Sequence, residues 1–146
     1  TKRPGLLSEL ARALGCQAVV LQLDAKRNGK GWEAWRDGGR EPTGRDAVEW
    51  AQEAVGLGAG EILATSVDRE GTGGGFDCDL VQAIGRVVRV PVVASGGLGD
   101  PEHAVDAFKA GADAVAIGRS LHYGEVSLAQ VRAALAKAGV AVRTAA

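Results

Sequence analysis

Methionine is absent from all 146 residues, aromatic residues make up only 4%, and there are just two cysteines. Cys16 and Cys78 have neither CxxC spacing nor a histidine cluster beside them, which argues against a zinc site and against a disulfide framework. They read as reduced, buried thiols. Any large excess of charge is also missing: 17 basic residues face 18 acidic ones, so no broad field draws the chain to nucleic acid or anionic lipid. A negatively charged ligand must therefore be held by a local site. No apolar run approaches the roughly 18 residues that span a bilayer. Thr1-Lys2-Arg3-Pro4-Gly5 has no apolar segment behind it of the kind a secretory signal needs. The expected location is the cytoplasm, and with no membrane and no nucleic acid among its partners. Lacking an initiator methionine, Thr1 reads as the start of a trimmed chain or of a fragment.

What is present is an alternation. The apolar runs Ala18–Leu23, Glu61–Thr65, Val90–Ala94 and Ala114–Ile117 are rich in β-branched residues and read as buried parallel strands. Between them, Arg45–Leu57, Asp79–Val88 and Pro101–Ala110 carry helical periodicity, while Leu6–Leu14 precedes the first strand and Ser127–Ala138 follows the last. Asp100-Pro101-Glu102 supplies an N-cap, a proline at the first helical position and an acid in the first turn; Gly15, Gly58, Gly111 and Gly139 stand where helices should stop. The expected fold class is α/β. Residues 1–146 form one domain, a leading helix and then four strand–helix units, which is a (βα)4 half of a (β/α)8 (TIM) barrel. A small doubly wound sheet fits the same alternation, but the loops favour the barrel. Asp24, Ser66 with Asp68, Ser95-Gly96-Gly97 and Gly118-Arg119-Ser120 each follow a strand, on the rim where such barrels keep their chemistry.

Ser95-Gly96-Gly97-Leu98-Gly99 joins a strand to a helix, where glycines bring backbone N–H groups close to an anion and the helix N-terminus adds positive potential. Gly118-Arg119-Ser120 repeats the device one unit later, and together the two turns point to phosphate. Arg119 either adds a bidentate contact or stands solvated at the surface. Asp24 is expected at the barrel mouth among apolar walls, a setting suited to a general acid or base; a structural pair with Lys26 or Arg27 is the other reading. Asp68 and Glu70 form a second acidic group on the rim, unless Asp68 and Arg69 only brace their loop. Lys30–Arg40 holds two of the three tryptophans and reads as a hairpin or flap inserted between the first strand and its helix, there to cover a ligand or to pack. His103 and His122 read as structural. No metal and no cofactor is assigned.

Leu23-Asp24-Ala25-Lys26-Arg27, Pro42-Thr43-Gly44, Gly58-Ala59-Gly60-Glu61-Ile62-Leu63, Thr65 through Thr72, Ala94-Ser95-Gly96-Gly97 and Leu121-His122-Tyr123-Gly124-Glu125 together strongly resemble the cyclase subunit of imidazole glycerol phosphate synthase. The resemblance covers only the C-terminal half of that family: the last helix of its first half, then units five to eight. It implies a (β/α)8 barrel of histidine biosynthesis that uses ammonia from a glutamine amidotransferase partner. The barrel converts a phosphorylated ribotide into imidazole glycerol phosphate and a purine precursor. On this resemblance Asp24 is the acid/base of the fifth strand, with Asp68 and Glu70 also on the catalytic rim. Ser95, Gly96, Gly97, Gly118 and Arg119, with Gly71, hold a substrate phosphate, Thr65 and Ser66 line the pocket, and Glu61 belongs to a charged ring through which ammonia enters. Glu70 stands where the family usually has aspartate, and Gly118-Arg119 is closer to the sister isomerase of the same pathway.

A four-stranded parallel half with helices on one face would leave its barrel-lining side chains and two edges uncovered. The family's barrel has two-fold pseudo-symmetry, so two copies paired isologously would each supply an aspartate and a phosphate site. The expectation is a homodimeric closed barrel, or a larger assembly of such halves, that binds phosphate or the ribotide with low or no cyclase turnover. A non-catalytic folding unit and the sister isomerase are the alternatives.

Overall fold

The computed structural model describes residues 3–143. Helix α1 (Gly5–Leu14) leads through a 3-10 turn at Cys16–Ala18 into β1 (Val20–Asn28), which doubles back as β2 (Gly31–Arg36) and β3 (Glu41–Asp46). The chain continues through α2 (Ala47–Gly56), β4 (Glu61–Ser66), α3 (Cys78–Val87), β5 (Val92–Ser95), α4 (Pro101–Lys109) and β6 (Ala114–Ala116). It ends in the single turn α5 (Arg119–His122) and in α6 (Leu128–Lys137). All six strands share one open sheet in the order β3-β2-β1-β4-β5-β6. The expected parallel strands are β1, β4, β5 and β6, and Asp24, Thr65, Ser95 and Ala116 lie level across them.

The sheet is not wholly parallel, because β2 and β3 add to it antiparallel. β1 does not stop at Leu23; it runs on to Asn28, Gly29 takes a positive φ of 61°, and β2 pairs back from Asn28↔Gly31 to Asp24↔Trp35. Period-two alternation fixes which side chains turn inward: Trp32 and Ala34 are buried, and Glu33 and Trp35 face the other way.

One face of the sheet carries Leu23, Ala25, Ile62, Ala64, Val92 and Ala94, all packed into one core with Trp50, Leu80, Ile84 and Val105 of the helices. The opposite face carries Gln22, Asp24, Glu61, Leu63, Thr65, Val93 and Ser95, none of them buried. Val20, at the foot of that face, is 50% exposed. The helices begin on side-chain caps: Asp46, Asp77, Asp100 and Ser127 each accept from the backbone N–H of the first turn of α2, α3, α4 and α6. The four parallel strands thus sit under a helical layer on one side only. Within the parallel part of the sheet, the outer side of β1 is half covered, since the hairpin pairs with Asp24–Asn28 and not with the residues before Asp24.

The thiols also differ from expectation. Cys16 lies in the 3-10 turn and is exposed, and Cys78, at the head of α3, is half-buried. Burial pushes the Cys78 thiol up, the carboxylates of Asp106, Asp77 and Asp79 add to this, and Arg69 opposes it.

Candidate functional site

Two adjoining cavities open at the C-terminal end of the parallel strands. One, of about 260 Å³, is walled by Glu70, Gly71, Gly73, the run Ser95–Leu98 and residues 116–120, so both glycine turns line it. The other, of about 500 Å³, lies on the uncovered face and is lined by Gln22, Asp24, Gly38, Leu63, Thr65, Val67, Glu70 and Ser95. Glu70 and Ser95 line both and form the partition between them. Asp24 lies level with Thr65 on β4, is half-buried, and accepts a hydrogen bond from Gln22 Nε2 at 3.3 Å. It sits in the middle of β1 rather than at its end. The hairpin then bends over this face, with Gly38 in the cavity wall and Gly39 so close to Val67 that a Cβ there would come within 2.9 Å of it.

The first glycine turn owes its shape to the loop stacked on it. A Cβ on Gly97 would overlap the Gly75 carbonyl, and one on Gly99 would overlap that of Gly73. Gly75 N–H donates to the Gly97 carbonyl at 2.8 Å. These two glycines therefore permit close approach of backbone to backbone, in addition to any contact with an anion. Gly118 is different, since nothing lies within 4 Å of where its Cβ would be. It directly precedes α5, whose first N–H groups have no partner within the helix. Arg119 gives both its terminal nitrogens to the Glu125 carboxylate at 2.7 Å, with its guanidinium near the Tyr123 ring.

Other residues singled out in the sequence are dispersed. Ser66 follows Thr65 on the strand and so lies on the other face, 1% exposed beneath α3, with no hydrogen-bond partner for its hydroxyl among the described residues and no place in either cavity. Asp68 also lines neither cavity; its carboxylate accepts the Arg27 N–H at 2.7 Å and ties the rim loop to β1. Glu61 stands at the far end of β4, four residues from Thr65 on the same face and roughly 13 Å away at strand rise.

Three groups have structural partners that sequence spacing did not signal. Asp77 is buried, caps α3 through Leu80 N–H, accepts the Trp32 indole N–H at 2.8 Å and faces Arg27 at 3.7 Å. Trp32 is thereby a packing residue, while Trp35 lies on the open face with Lys26 Nζ 4.4 Å from its ring centre. Glu125 holds Arg119, and His103 caps the glycine turn.

A family model described as histidine biosynthesis protein matches residues 1–127. The chain belongs to that family. Among its histidine biosynthesis relatives, the imidazole glycerol phosphate synthase subunit HisF of Gluconacetobacter diazotrophicus is 51% identical over 142 residues, 97% of this chain and 55% of that protein. The subunit of the same name from Pyrococcus furiosus is 47% identical over 97% of this chain and 57% of its own length. That of Pyrobaculum aerophilum is 50% identical, over 97% and 56%. The chain spans about half the length of these relatives. No described helix is long and apolar enough to cross a membrane.

Proposed function

We propose that this chain is one half of an imidazole glycerol phosphate synthase cyclase barrel and that it binds a phosphorylated ribotide on the rim of its sheet. The observation that carries the reading is the arrangement of Asp24, Thr65 and Ser95 level across three parallel strands, one shared wall away from a cavity lined by both glycine turns. In this reading the turns hold a phosphate through backbone N–H groups. Asp24 gives and takes the proton of the cyclisation from the neighbouring cavity. Glu70, on the partition, orients the ring side of the ribotide, and Thr65 lines its path. Glu61 borders the opening by which ammonia from a glutamine amidotransferase would enter. A second copy of the chain completes the barrel and contributes the second aspartate and phosphate grip; the open sheet and its uncovered polar face support this. Asp68, bonded to the Arg27 N–H, acts by holding the rim loop, and Ser66 is buried on the helix side of β4, away from the ligand.

Binding of inorganic phosphate, followed by titration calorimetry, tests the site. Gly97→Asp would be a poor probe, because any side chain there strikes Gly75. Gly118→Asp adds a carboxylate to the cavity where there is open space. Like charge at contact distance is expected to weaken binding at least about tenfold with the unfolding midpoint little changed. Unchanged binding would remove the phosphate site from this cavity. With ribotide, the amidotransferase and glutamine supplied, imidazole glycerol phosphate as product supports the cyclase, isomerised ribotide without ammonia use indicates the sister activity, and no turnover with retained phosphate binding indicates a non-catalytic half.

A further inference from the structure

We infer that His103 is a positioning residue that sets the geometry of the anion-gripping turn, an inference that rests on the phosphate reading above. His103 occupies the third position of α4, where glutamate or glutamine ordinarily completes a capping box with the N-cap backbone. Its Nδ1 accepts two N–H groups, from Gly99 and from Asp100, each at 3.2 Å. An Nδ1 that accepts leaves the proton of the neutral ring on Nε2. The ring stands beside Gly75, since a Cβ added there would lie 3.5 Å from Cδ2, and Gly75 itself donates to the Gly97 carbonyl. One imidazole therefore holds the turn 95–100 by two hydrogen bonds next to the loop stacked on it. A residue that only capped α4 would need the Asp100 N–H alone.

A side chain at position 103 without an acceptor would leave both N–H groups of the turn unpaired. Free of the imidazole, Gly99 and Asp100 would no longer hold Gly96–Leu98 against the cavity. Glutamine at the same position would keep an acceptor for the turn.

Sulfate is the probe, a tetrahedral dianion of fixed charge. Calorimetric titrations of the wild type, His103→Gln and His103→Ala under one condition read the effect. His103→Gln, which keeps an acceptor at the same position, is expected to bind nearly as well as the wild type, and His103→Ala about tenfold more weakly. Equal affinity of His103→Ala and the wild type, or an equal loss in His103→Gln, would overturn the inference. If the wild type holds no sulfate, the anion site itself is wrong. Hydrogen exchange then decides His103 independently: Gly99 and Asp100 amides that exchange faster in His103→Ala than in His103→Gln support the brace, and equal rates refute it.

Discussion

Thr65 and Ser66 are adjacent and chemically alike, yet the pleat of β4 sends them to different solvents. Thr65 meets the open cavity beside Asp24, whereas the Ser66 hydroxyl is enclosed among Ala64, Phe76, Asp77, Leu80, Val81, Ala94 and Ser95 and has no hydrogen-bond partner among the described residues. An unsatisfied buried hydroxyl costs about 1–3 kcal/mol. Ser66→Ala is accordingly expected to raise stability by about 1 kcal/mol in urea unfolding and to leave phosphate affinity unchanged. Weaker phosphate binding at unchanged stability would return Ser66 to the pocket. Arg119 shows the same dependence on surroundings. Read in isolation it is a free cation beside a glycine turn, but in the fold its guanidinium is already engaged by Glu125, at 39% and 38% side-chain exposure. An exposed pair of this kind contributes little to stability.

At the scale of elements, the β2–β3 hairpin is the feature that most alters the picture of a plain half-barrel. Its tip reaches Val67 and lends Gly38 to the Asp24 cavity, and its base is pinned from beneath by Asp77. That one carboxylate caps α3, satisfies the Trp32 indole and faces Arg27, which stacks on the same indole at 4.2 Å. Asp77→Ala removes a cap and orphans a buried N–H together. The expected loss is about 2–4 kcal/mol, against about 1 kcal/mol for Asp77→Asn, which keeps an acceptor. Midpoints of urea unfolding at constant slope measure both, and equal losses would show that the bonds to Leu80 and Trp32 do not carry the anchoring. Two tryptophans followed by Gly38-Gly39 marked Lys30–Arg40 as a hairpin or flap. The partner Asp77, some 45 residues on, could not be seen, because a buried hydrogen bond depends on packing and leaves no local pattern.

For the whole molecule, the decisive property is a sheet covered on one side only. Leu63 and Val93 lie half-buried on the uncovered face, level with each other, and α1 adds Leu6, Leu10 and Leu14 as exposed apolar side chains. If two copies close a barrel, Leu63 becomes part of its packed interior; in a lone chain it borders solvent. Leu63→Glu would then abolish association while sparing the fold of the single chain. Sedimentation equilibrium at micromolar concentration is expected to give a dimer or larger for the wild type and a monomer with unchanged circular dichroism for the variant. Equal masses for the two would move the contact away from this face.

By itself the sequence determined the strand–helix alternation, the cap at Asp100, the two glycine turns and the residues that place the chain among histidine biosynthesis proteins. All of these are local: hydrophobic period, capping chemistry and turn residues act within a few positions of one another. Only the tertiary structure decided the antiparallel hairpin, the separation of Ser66 and Asp68 from Asp24, the sharing of Glu70 and Ser95 between two cavities, and the hydrogen bonds that His103 accepts from the glycine turn. Each depends on which face of a strand a residue occupies and on what is packed there from far along the chain, and that is settled when the sheet and its helical layer assemble.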